Sequence, residues 1–183
     1  MKYFKRLEGE NVYLSPINID DYPIYTKWLN NSNINKYLTM QNQLLSLNKE
    51  KEILERLSYE EFIFSIVKVD NNELIGNIGL NNIDYKNGSA ELGIFIGEED
   101  NLSKGYGSEA IKLLINYAFN NIRLHNIMLT VYGDNIRAIK CYNKCGFKEF
   151  GRRCEALFRD GKYIDSIYME VVKKWLYNMN CYI

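Results

Sequence analysis

Residues 101–110 read NLSKGYGSEA and lie between an apolar run ending at Gly97 and another that begins at Ile111. The first run alternates like a strand and the second has helical spacing, so the stretch joins a strand to a helix start. A helix start leaves four backbone N–H groups without partners and carries partial positive charge. Two glycines, Gly105 and Gly107, let a ligand approach the main chain there. The stretch therefore predicts an anion site and indicates phosphate.

Three apolar segments before this loop have the period of two that is typical of strands: residues 61–69, 73–83 and 89–97. The turn-rich sequences VDNN and DYKNG separate them. Turns of this kind join antiparallel neighbours, so we expect the three strands to form a meander.

The other segments alternate between helical and strand periodicity, without a repeat or a Pro/Gly-rich linker. A chain of this length suits one domain, and we expect residues 1–183 to form one. The element order predicts a fold of the α/β class in which helices and mostly antiparallel strands are mixed (α+β). The further elements expected are a strand at 12–15, helices within 18–29 and from residue 48, a helix at 106–121, a strand at 126–133, a helix at 136–145 and a hairpin of 147–157 with 163–171.

Charge and hydropathy argue against several classes of partner. Lysine plus arginine and aspartate plus glutamate are both 23, so no net field attracts a nucleic-acid backbone or an anionic membrane. The first residues lack the apolar core of a signal peptide, and no apolar run reaches the ~18 residues that span a bilayer. We therefore expect a cytoplasmic protein with no nucleic acid and no membrane as partner.

The hexapeptide GYGSEA also fits G-x-G-x-x-A, the dinucleotide-binding fingerprint. In that fold the first glycine follows a strand of a parallel β-α-β unit, and an acidic residue about 20 positions later holds the ribose. Here seven residues, EEDNLSK, separate Gly97 from Gly105, and the preceding strands are expected to be antiparallel. About 20 positions further on, the chain reads RLHNIM. The pattern therefore disfavours a nicotinamide cofactor.

A second motif follows the strand predicted at 126–133, where residues 134–147 read DNIRAIKCYNKCGF. Together with the loop, it resembles the GNAT family of acyl-CoA N-acyltransferases. The signatures of that family are Q/R-x-x-G-x-G/A at a helix start and N-x-x-A-x-x-x-Y-x-x-x-G-F further on. The resemblance runs from about Glu10 to Val172 and is strongest to the group of ribosomal-protein N-terminal and spermidine acetyltransferases. One departure is Leu102, where the family pattern has Gln or Arg.

The resemblance implies both a fold and an activity. The fold is a mostly antiparallel central sheet of about seven strands with splayed fourth and fifth strands and about four flanking helices. The activity is transfer of an acetyl group from acetyl-CoA, the cosubstrate, to a primary amine, with no metal. The amine belongs to a small molecule, a polyamine, an aminosugar or a peptide N-terminus. A CoA-binding sensor that no longer catalyses transfer remains an alternative.

The resemblance also implies a coenzyme site, in which loop amides wrap the pyrophosphate and the fourth strand pairs with the pantetheine arm. Several members have a second interpretation: Ser108 as an early-helix hydroxyl, Lys104 as a solvated charge and Asn135 as a helix cap. Arg137 could approach the 3′-phosphate or be solvated. The expected cofactor-binding residues are Ile94, Phe95, Ile96, Ser103, Lys104, Gly105, Tyr106, Gly107, Ser108, Asn135, Ala138 and Lys140.

Two residues are candidates for catalysis through the resemblance. Tyr142 matches the family's tyrosine, which protonates the leaving thiolate; a packed core tyrosine is its alternative. Glu91 matches a glutamate that draws the amine proton through water; a solvent-facing strand residue is its alternative. A lysine-like amine with a pKa near 10.4 is neutral about once in 2,500 molecules at pH 7, which adds about 4.6 kcal/mol to the barrier. The one histidine, His125, is expected to make a structural hydrogen bond.

The acceptor amine is expected opposite the coenzyme, between residues 25–37 and 157–163, as the resemblance implies. Trp28 and Tyr37 in the first of these segments fit core or lid packing better than ligand contacts. The sequence does not define the pocket further.

The four cysteines and the C-terminal segment have no assigned role in the coenzyme site. Cys141 and Cys145 stand at i and i+4, but one histidine and no second CxxC favour packed, reduced thiols over a zinc pair. Cys154 and Cys181 have no evident partners. The C-terminal KKWLYNMNCYI could pack on the domain, support a homodimer or fray.

Overall fold

The computed structural model describes residues 2–38 and 43–173. The strands in these ranges are β1 Leu7–Glu8, β2 Val12–Pro16, β3 Ile63–Lys68, β4 Leu74–Asp84, β5 Ser89–Ile96, β6 Asn126–Tyr132, β7 Lys148–Arg159 and β8 Lys162–Val172. They form one sheet in the order β1-β2-β3-β4-β5-β6-β8-β7. The β5–β6 pair is parallel, and the other pairs are antiparallel. The meander of three strands, now β3 to β5, is confirmed.

The helices of the described part are α1 Tyr22–Leu29, α2 Ser32–Asn35, α3 Leu47–Leu57, α4 Tyr106–Tyr117 and α5 Ile136–Lys144. A 3₁₀ turn at Ile19–Asp21 leads into α1, another at Glu99–Asn101 precedes the glycine loop, and a π-helical turn at Ala118–Ile122 ends α4. Nowhere in residues 2–38 and 43–173 is a helix both long and apolar enough to cross a bilayer.

The mixed, mostly antiparallel fold is confirmed, and two element counts need correction. The described residues form eight strands where about seven were expected, and five helices where about four were expected. The additional strand is β1, which has two residues, and the additional helix is α2, which has four. Elements this short contain too few residues to display a periodicity, so the sequence pattern did not reveal them.

The sheet separates two layers of the molecule. The side chains of β5 point alternately into one layer and into the other. Leu92, Ile94 and Ile96 face the core beneath α4 and α5. Phe95 faces the opposite way, into a second core formed with α1 and α3. Here the Phe95 ring meets that of Tyr25 edge-on at 5.9 Å between centroids. Because strand side chains alternate, Glu91 lies on the Phe95 face of the sheet.

The splayed pair of strands is present. β5 and β6 are aligned only over three residue pairs, Ser89 with Asn126, Ala90 with Ile127 and Glu91 with Met128. Beyond Glu91, β5 stays paired with β4 and β6 with β8. The two strands therefore separate towards their carboxyl ends and open a gap in the middle of the sheet. Counted without β1, they are the fourth and fifth strands, as the resemblance implied.

Candidate active site

A cavity of about 800 Å³ passes through this gap from one layer to the other. On the α4 and α5 side it is lined by the glycine loop and by one face of α5. On the α1 and α3 side it is lined mainly by apolar and aromatic side chains of the helices and of Ile63 and Phe95. Polar and glycine residues of β4 and β5 and one carboxylate of α3 complete that lining. The volume is within the usual range of small-molecule sites.

The glycine loop presents an open helix N-terminus to the cavity. Gly105 is the N-cap of α4, with φ of 93°, and no side chain caps the helix. An added Cβ at Gly105 would have no atom within 4 Å, and one at Gly107 would meet only Ile94 and Ile96, at 3.9 Å. Free amides next to empty space fit a phosphate group, so the loop has the geometry of an anion site.

The side chains of this loop contribute unequally. Ser103 and Ser108 line the cavity, and Ser108 Oγ donates to the Gly105 carbonyl oxygen at 2.8 Å, as an early-helix hydroxyl does. Lys104 and Tyr106 are not among the lining residues. Lys104 is exposed, and the Tyr106 ring lies under the Lys68 ammonium at 5.6 Å. Side-chain contact with the ligand is therefore not supported at Lys104 and Tyr106, and only their backbone amides remain candidates.

Helix α5 forms the second wall on this side. Asn135 caps it, because its side-chain oxygen accepts from the Ala138 N–H at 3.2 Å. Asn135, Ala138 and Lys140 line the cavity, and so does Arg137. The capping and lining positions are compatible, so both interpretations of Asn135 stand.

Tyr142 of α5 also lines the cavity. Its half-buried ring packs edge-on against Phe147 at 5.9 Å between centroids. Burial raises the pKa of the Tyr142 phenol above its ordinary value, with a smaller contribution from the nearby Cys141 and Cys145. The phenol therefore keeps its proton at neutral pH and is a hydrogen-bond donor.

The cysteines of α5 are packed thiols. Cys145 lies with Sγ 3.5 Å from the Ser108 carbonyl oxygen, and Cys141 is half-buried beside the cavity. Within residues 2–38 and 43–173, no group of three or more His, Cys, Asp or Glu side chains could hold a metal ion. Cys154 is exposed, whereas Cys181 and most of the C-terminal segment lie outside the described residues.

On the other side of the sheet, the floor of the cavity lacks a side chain at Gly93, whereas the Ile63 side chain covers the neighbouring Gly79. Gly79 of β4 and Gly93 of β5 are directly paired and both line the cavity. An added Cβ at Gly93 would meet only the Asn81 amide, at 3.5 Å. The Glu91 carboxylate lies beside this floor and accepts from Asn82 Nδ2 at 3.2 Å. Glu91 is thus a half-buried residue that lines the cavity.

His125 lies away from these groups. It precedes β6 at the end where β5 and β6 are paired, and its backbone N–H donates to the Gly88 carbonyl oxygen at 2.6 Å. The residue is exposed and does not line the cavity. This position supports the expectation of a structural hydrogen bond at His125.

The two segments expected near the acceptor do meet. The Arg159 guanidinium, at the tip of the β7–β8 hairpin, lies over the rings of Tyr37 at 5.2 Å and Tyr132 at 5.6 Å. It also contacts the Lys36 carbonyl oxygen and the Asp134 carboxylate. Tyr37 lines the cavity, whereas Trp28 is buried in the core. The hairpin tip therefore joins the segment after α2 at the cavity rim.

Of the two acidic residues that line the cavity in the described part of the chain, sequence reasoning missed Glu50 of α3. It is only 1% exposed, it lines the cavity, and its Oε2 has no hydrogen-bond partner among the described residues. Burial raises the pKa of Glu50 to about 7. A signal was available, because Glu50 stands four residues before Leu54 and seven before Leu57, on the stripe expected to be buried.

The raised pKa of Glu50 predicts a pH-dependent stability. Between the ordinary pKa of 4.5 and about 7, the folded state holds a proton that the unfolded state has lost. The free energy of unfolding therefore falls through this range as pH rises. Glu50→Gln removes that loss, and we expect the variant to gain about 1–3 kcal/mol over wild type between pH 5 and pH 8. Urea unfolding of both proteins at pH 5 and pH 8 measures this difference in the free energy of unfolding.

Glu55→Gln is the matched control, because Glu55 is an exposed carboxylate of the same helix. Its stability is expected to follow wild type at both pH values. If the free energy of unfolding changes equally with pH in wild type and Glu50→Gln, the raised pKa of Glu50 would be contradicted.

The chain has clear relatives among known proteins. The family model described as an acetyltransferase (GNAT) domain matches residues 14–168. An uncharacterized N-acetyltransferase, p20 of Bacillus licheniformis, is 27% identical over 178 residues, 92% of this chain and 96% of that protein. Spermidine N(1)-acetyltransferase of Vibrio cholerae is 34% identical over 108 residues, 59% of this chain and 62% of that protein.

Solved structures share the fold. A GNAT-family acetyltransferase from Bacillus anthracis superposes with a TM-score of 0.79 at 18% identity, covering 91% of this chain and 97% of that one. Spermidine N-acetyltransferase from Vibrio cholerae, in complex with CoA and spermine, superposes with a TM-score of 0.78 at 28% identity, covering 88% and 95%. The family match spans most of the chain. The chain belongs to the GNAT acetyltransferase family and is an N-acetyltransferase.

Proposed function

We propose that this chain transfers the acetyl group of acetyl-CoA to a primary amine of a small molecule or peptide. The observation that supports it best is the continuous cavity. It runs from the free amides at Gly105 and Gly107, through the gap between β5 and β6, to the Glu91 carboxylate on the opposite face. A thioester reached from one face and an amine from the other would meet in that gap.

The coenzyme is held by the chain's own groups on the α4 and α5 side. The N–H groups at the start of α4 bind the pyrophosphate, and the main chain of β5 from Ile94 to Ile96 pairs with the pantetheine arm. Arg137 and Lys140, at the exposed edge of the cavity, are placed for the 3′-phosphate. The coenzyme supplies an activated acetyl thioester when bound.

Proton movement is assigned to two residues on opposite walls of the cavity. Glu91 receives the proton of the acceptor ammonium, directly or through water, so that the amine attacks in its neutral form. Tyr142 donates its phenolic proton, or a hydrogen bond, to the departing thiolate. The hydroxyl is available for this role because the raised pKa of Tyr142 keeps it protonated.

Glu91→Gln tests the proton acceptor. We expect kcat/KM to fall about 10-fold to 100-fold for an amine with a pKa near 10.4. The loss should be smaller for a peptide α-amine near pKa 8, which deprotonates at a cost of about 1.4 kcal/mol at pH 7. Kinetics of the two amines between pH 6 and pH 9 separate these effects. An equal loss for both amines would contradict a role in deprotonation.

The proposed function itself is tested by product formation. The full chain is incubated with acetyl-CoA and, separately, with spermidine, an aminosugar and a peptide with a free N-terminus, and the acetylated product is identified by mass spectrometry. Enzyme-dependent acetylation of any of these supports the proposal. Binding of acetyl-CoA without transfer to any amine would instead support the sensor alternative.

A further inference from the structure

We propose that Glu50 forms a subsite for a second, non-reacting cationic nitrogen of the acceptor, on the α1 and α3 side of the cavity. This inference rests on the proposed function, because it specifies which amines the cavity would accept. It assigns to the buried carboxylate a ligand of stated chemistry, an ammonium group. Four observations support it.

The first observation is that Glu50 has no protein partner for one of its oxygens. Its Oε2 is fully buried without a hydrogen bond to any residue of 2–38 and 43–173, and the side chain lines the cavity. An unpaired buried carboxylate costs free energy, and an ammonium group that enters from the cavity would remove that cost. The side chain lines the cavity wall, so a ligand in the cavity would lie next to it.

The second observation is that nearby charged groups are otherwise engaged. Asp21, in the turn before α1, pairs with the Lys2 ammonium at 2.5 Å. On α3 itself, Lys51 lies over the Tyr22 ring at 5.7 Å, and Lys49 bonds Glu52 at 3.4 Å. From α1, the group facing Glu50 is the Tyr25 phenol; its pKa is raised by burial and, to a lesser extent, by Glu50 and other acidic groups. None of these contacts supplies a cation to Glu50.

The third observation is the position of the two carboxylates relative to β5. Glu50 lies near Tyr25, whose ring packs on Phe95 and whose hydroxyl donates to the Gly76 carbonyl oxygen at 3.4 Å. Phe95 is four residues along β5 from Glu91, which corresponds to about 13 Å of strand. Glu91 lies where the gap begins, and Glu50 lies by the residues that contact the carboxyl end of β5, so we infer that the two carboxylates bind different nitrogens of one acceptor.

The fourth observation is the surface between them. Gly93 leaves a shallow floor beside the Ile63 side chain, which covers its partner Gly79. The amide side chains of Asn77 and Asn81 flank this floor on the same face. A flexible methylene chain can lie across glycine backbone without meeting a Cβ. The geometry therefore fits an acceptor that carries two cationic nitrogens joined by a chain.

The experiment measures binding rather than turnover. Wild type, Glu50→Gln and Glu55→Gln, each saturated with CoA, are titrated calorimetrically at pH 8 with α,ω-diamines of increasing length and with amino alcohols of matched length. At pH 8 most Glu50 carboxyl groups are ionised, because its pKa is about 7. Each pair of ligands differs only in the distal group, an ammonium or a hydroxyl.

We expect wild type and Glu55→Gln to bind at least one diamine about 10-fold to 100-fold more tightly than its matched amino alcohol. Glu50→Gln should lose that preference, while its affinity for the amino alcohol stays near that of wild type. A preference retained in Glu50→Gln, or absent from wild type at every chain length, would overturn the subsite.

This design keeps the subsite and the proposed function distinguishable. Selective diamine binding without acetylation of any amine would support the subsite and contradict the proposed function. Acetylation of amines without a Glu50-dependent preference for diamines would support the proposed function and contradict the subsite.

Discussion

Tyr142→Phe is expected to lower kcat by about 10²-fold to 10⁴-fold while acetyl-CoA still binds. The substitution removes only the hydroxyl, and the ring keeps its edge-on packing against Phe147 at 5.9 Å. The departing thiolate then loses its proton donor. Because the Tyr142 pKa is raised and the phenol is protonated at neutral pH, wild type should show no loss of this donor between pH 6 and pH 8. Steady-state kinetics with a thermal-shift measurement of acetyl-CoA binding test both statements.

Tyr168→Phe provides the control for removing a tyrosine hydroxyl. Tyr168 is also half-buried, but it lies on β8 against Phe150 and does not line the cavity. Its kcat should remain near that of wild type. An undiminished kcat in Tyr142→Phe, or a rate loss explained entirely by lost acetyl-CoA binding, would assign Tyr142 to packing instead of catalysis.

Gly107→Asp is expected to separate folding from coenzyme binding. Gly107 is the second residue of α4, where a carboxylate is favoured by the helix dipole, and its Cβ would meet no atom closer than 3.9 Å. The free energy of unfolding should therefore stay the same or rise by about 1 kcal/mol. At the same position, the negative charge opposes the pyrophosphate. We expect acetyl-CoA affinity to fall at least about 100-fold, as measured by calorimetry.

Gly107→Ala distinguishes charge from bulk. It adds the Cβ alone, which has room at this position, so its acetyl-CoA affinity should lie much closer to wild type. Two results would contradict the loop as the anion site: unchanged acetyl-CoA affinity in Gly107→Asp, or an equal loss in both variants.

Most of the fold could be predicted because its elements have clear periods. The meander, α4 and the last hairpin each contain enough residues to show alternation or helical spacing. The helix predicted to reach residue 121 ends at Tyr117, because a π-helical turn replaces its last part. That change depends on packing of the final turn and has no periodic signature of its own.

The candidate site was only partly predictable. The loop and Tyr142 could be predicted because each belongs to a short sequence motif. The structure brings both of them to one cavity with Glu91. Glu50 and Arg159 become neighbours of that cavity only through tertiary packing of α3 and the β7–β8 hairpin. The direction of a loop side chain, such as Lys104 or Tyr106, is likewise set by folding rather than by spacing.

Thermal unfolding with acetyl-CoA tests the central claim most directly. Wild type and Gly107→Asp are melted alone, with acetyl-CoA and with NADH. A ligand at 100 times its dissociation constant adds about 2.7 kcal/mol, which should raise the Tm of wild type by about 5–10 °C. We predict this rise with acetyl-CoA, no rise with NADH and little rise in Gly107→Asp. A rise with NADH but not with acetyl-CoA, or an equal acetyl-CoA rise in both proteins, would contradict the account.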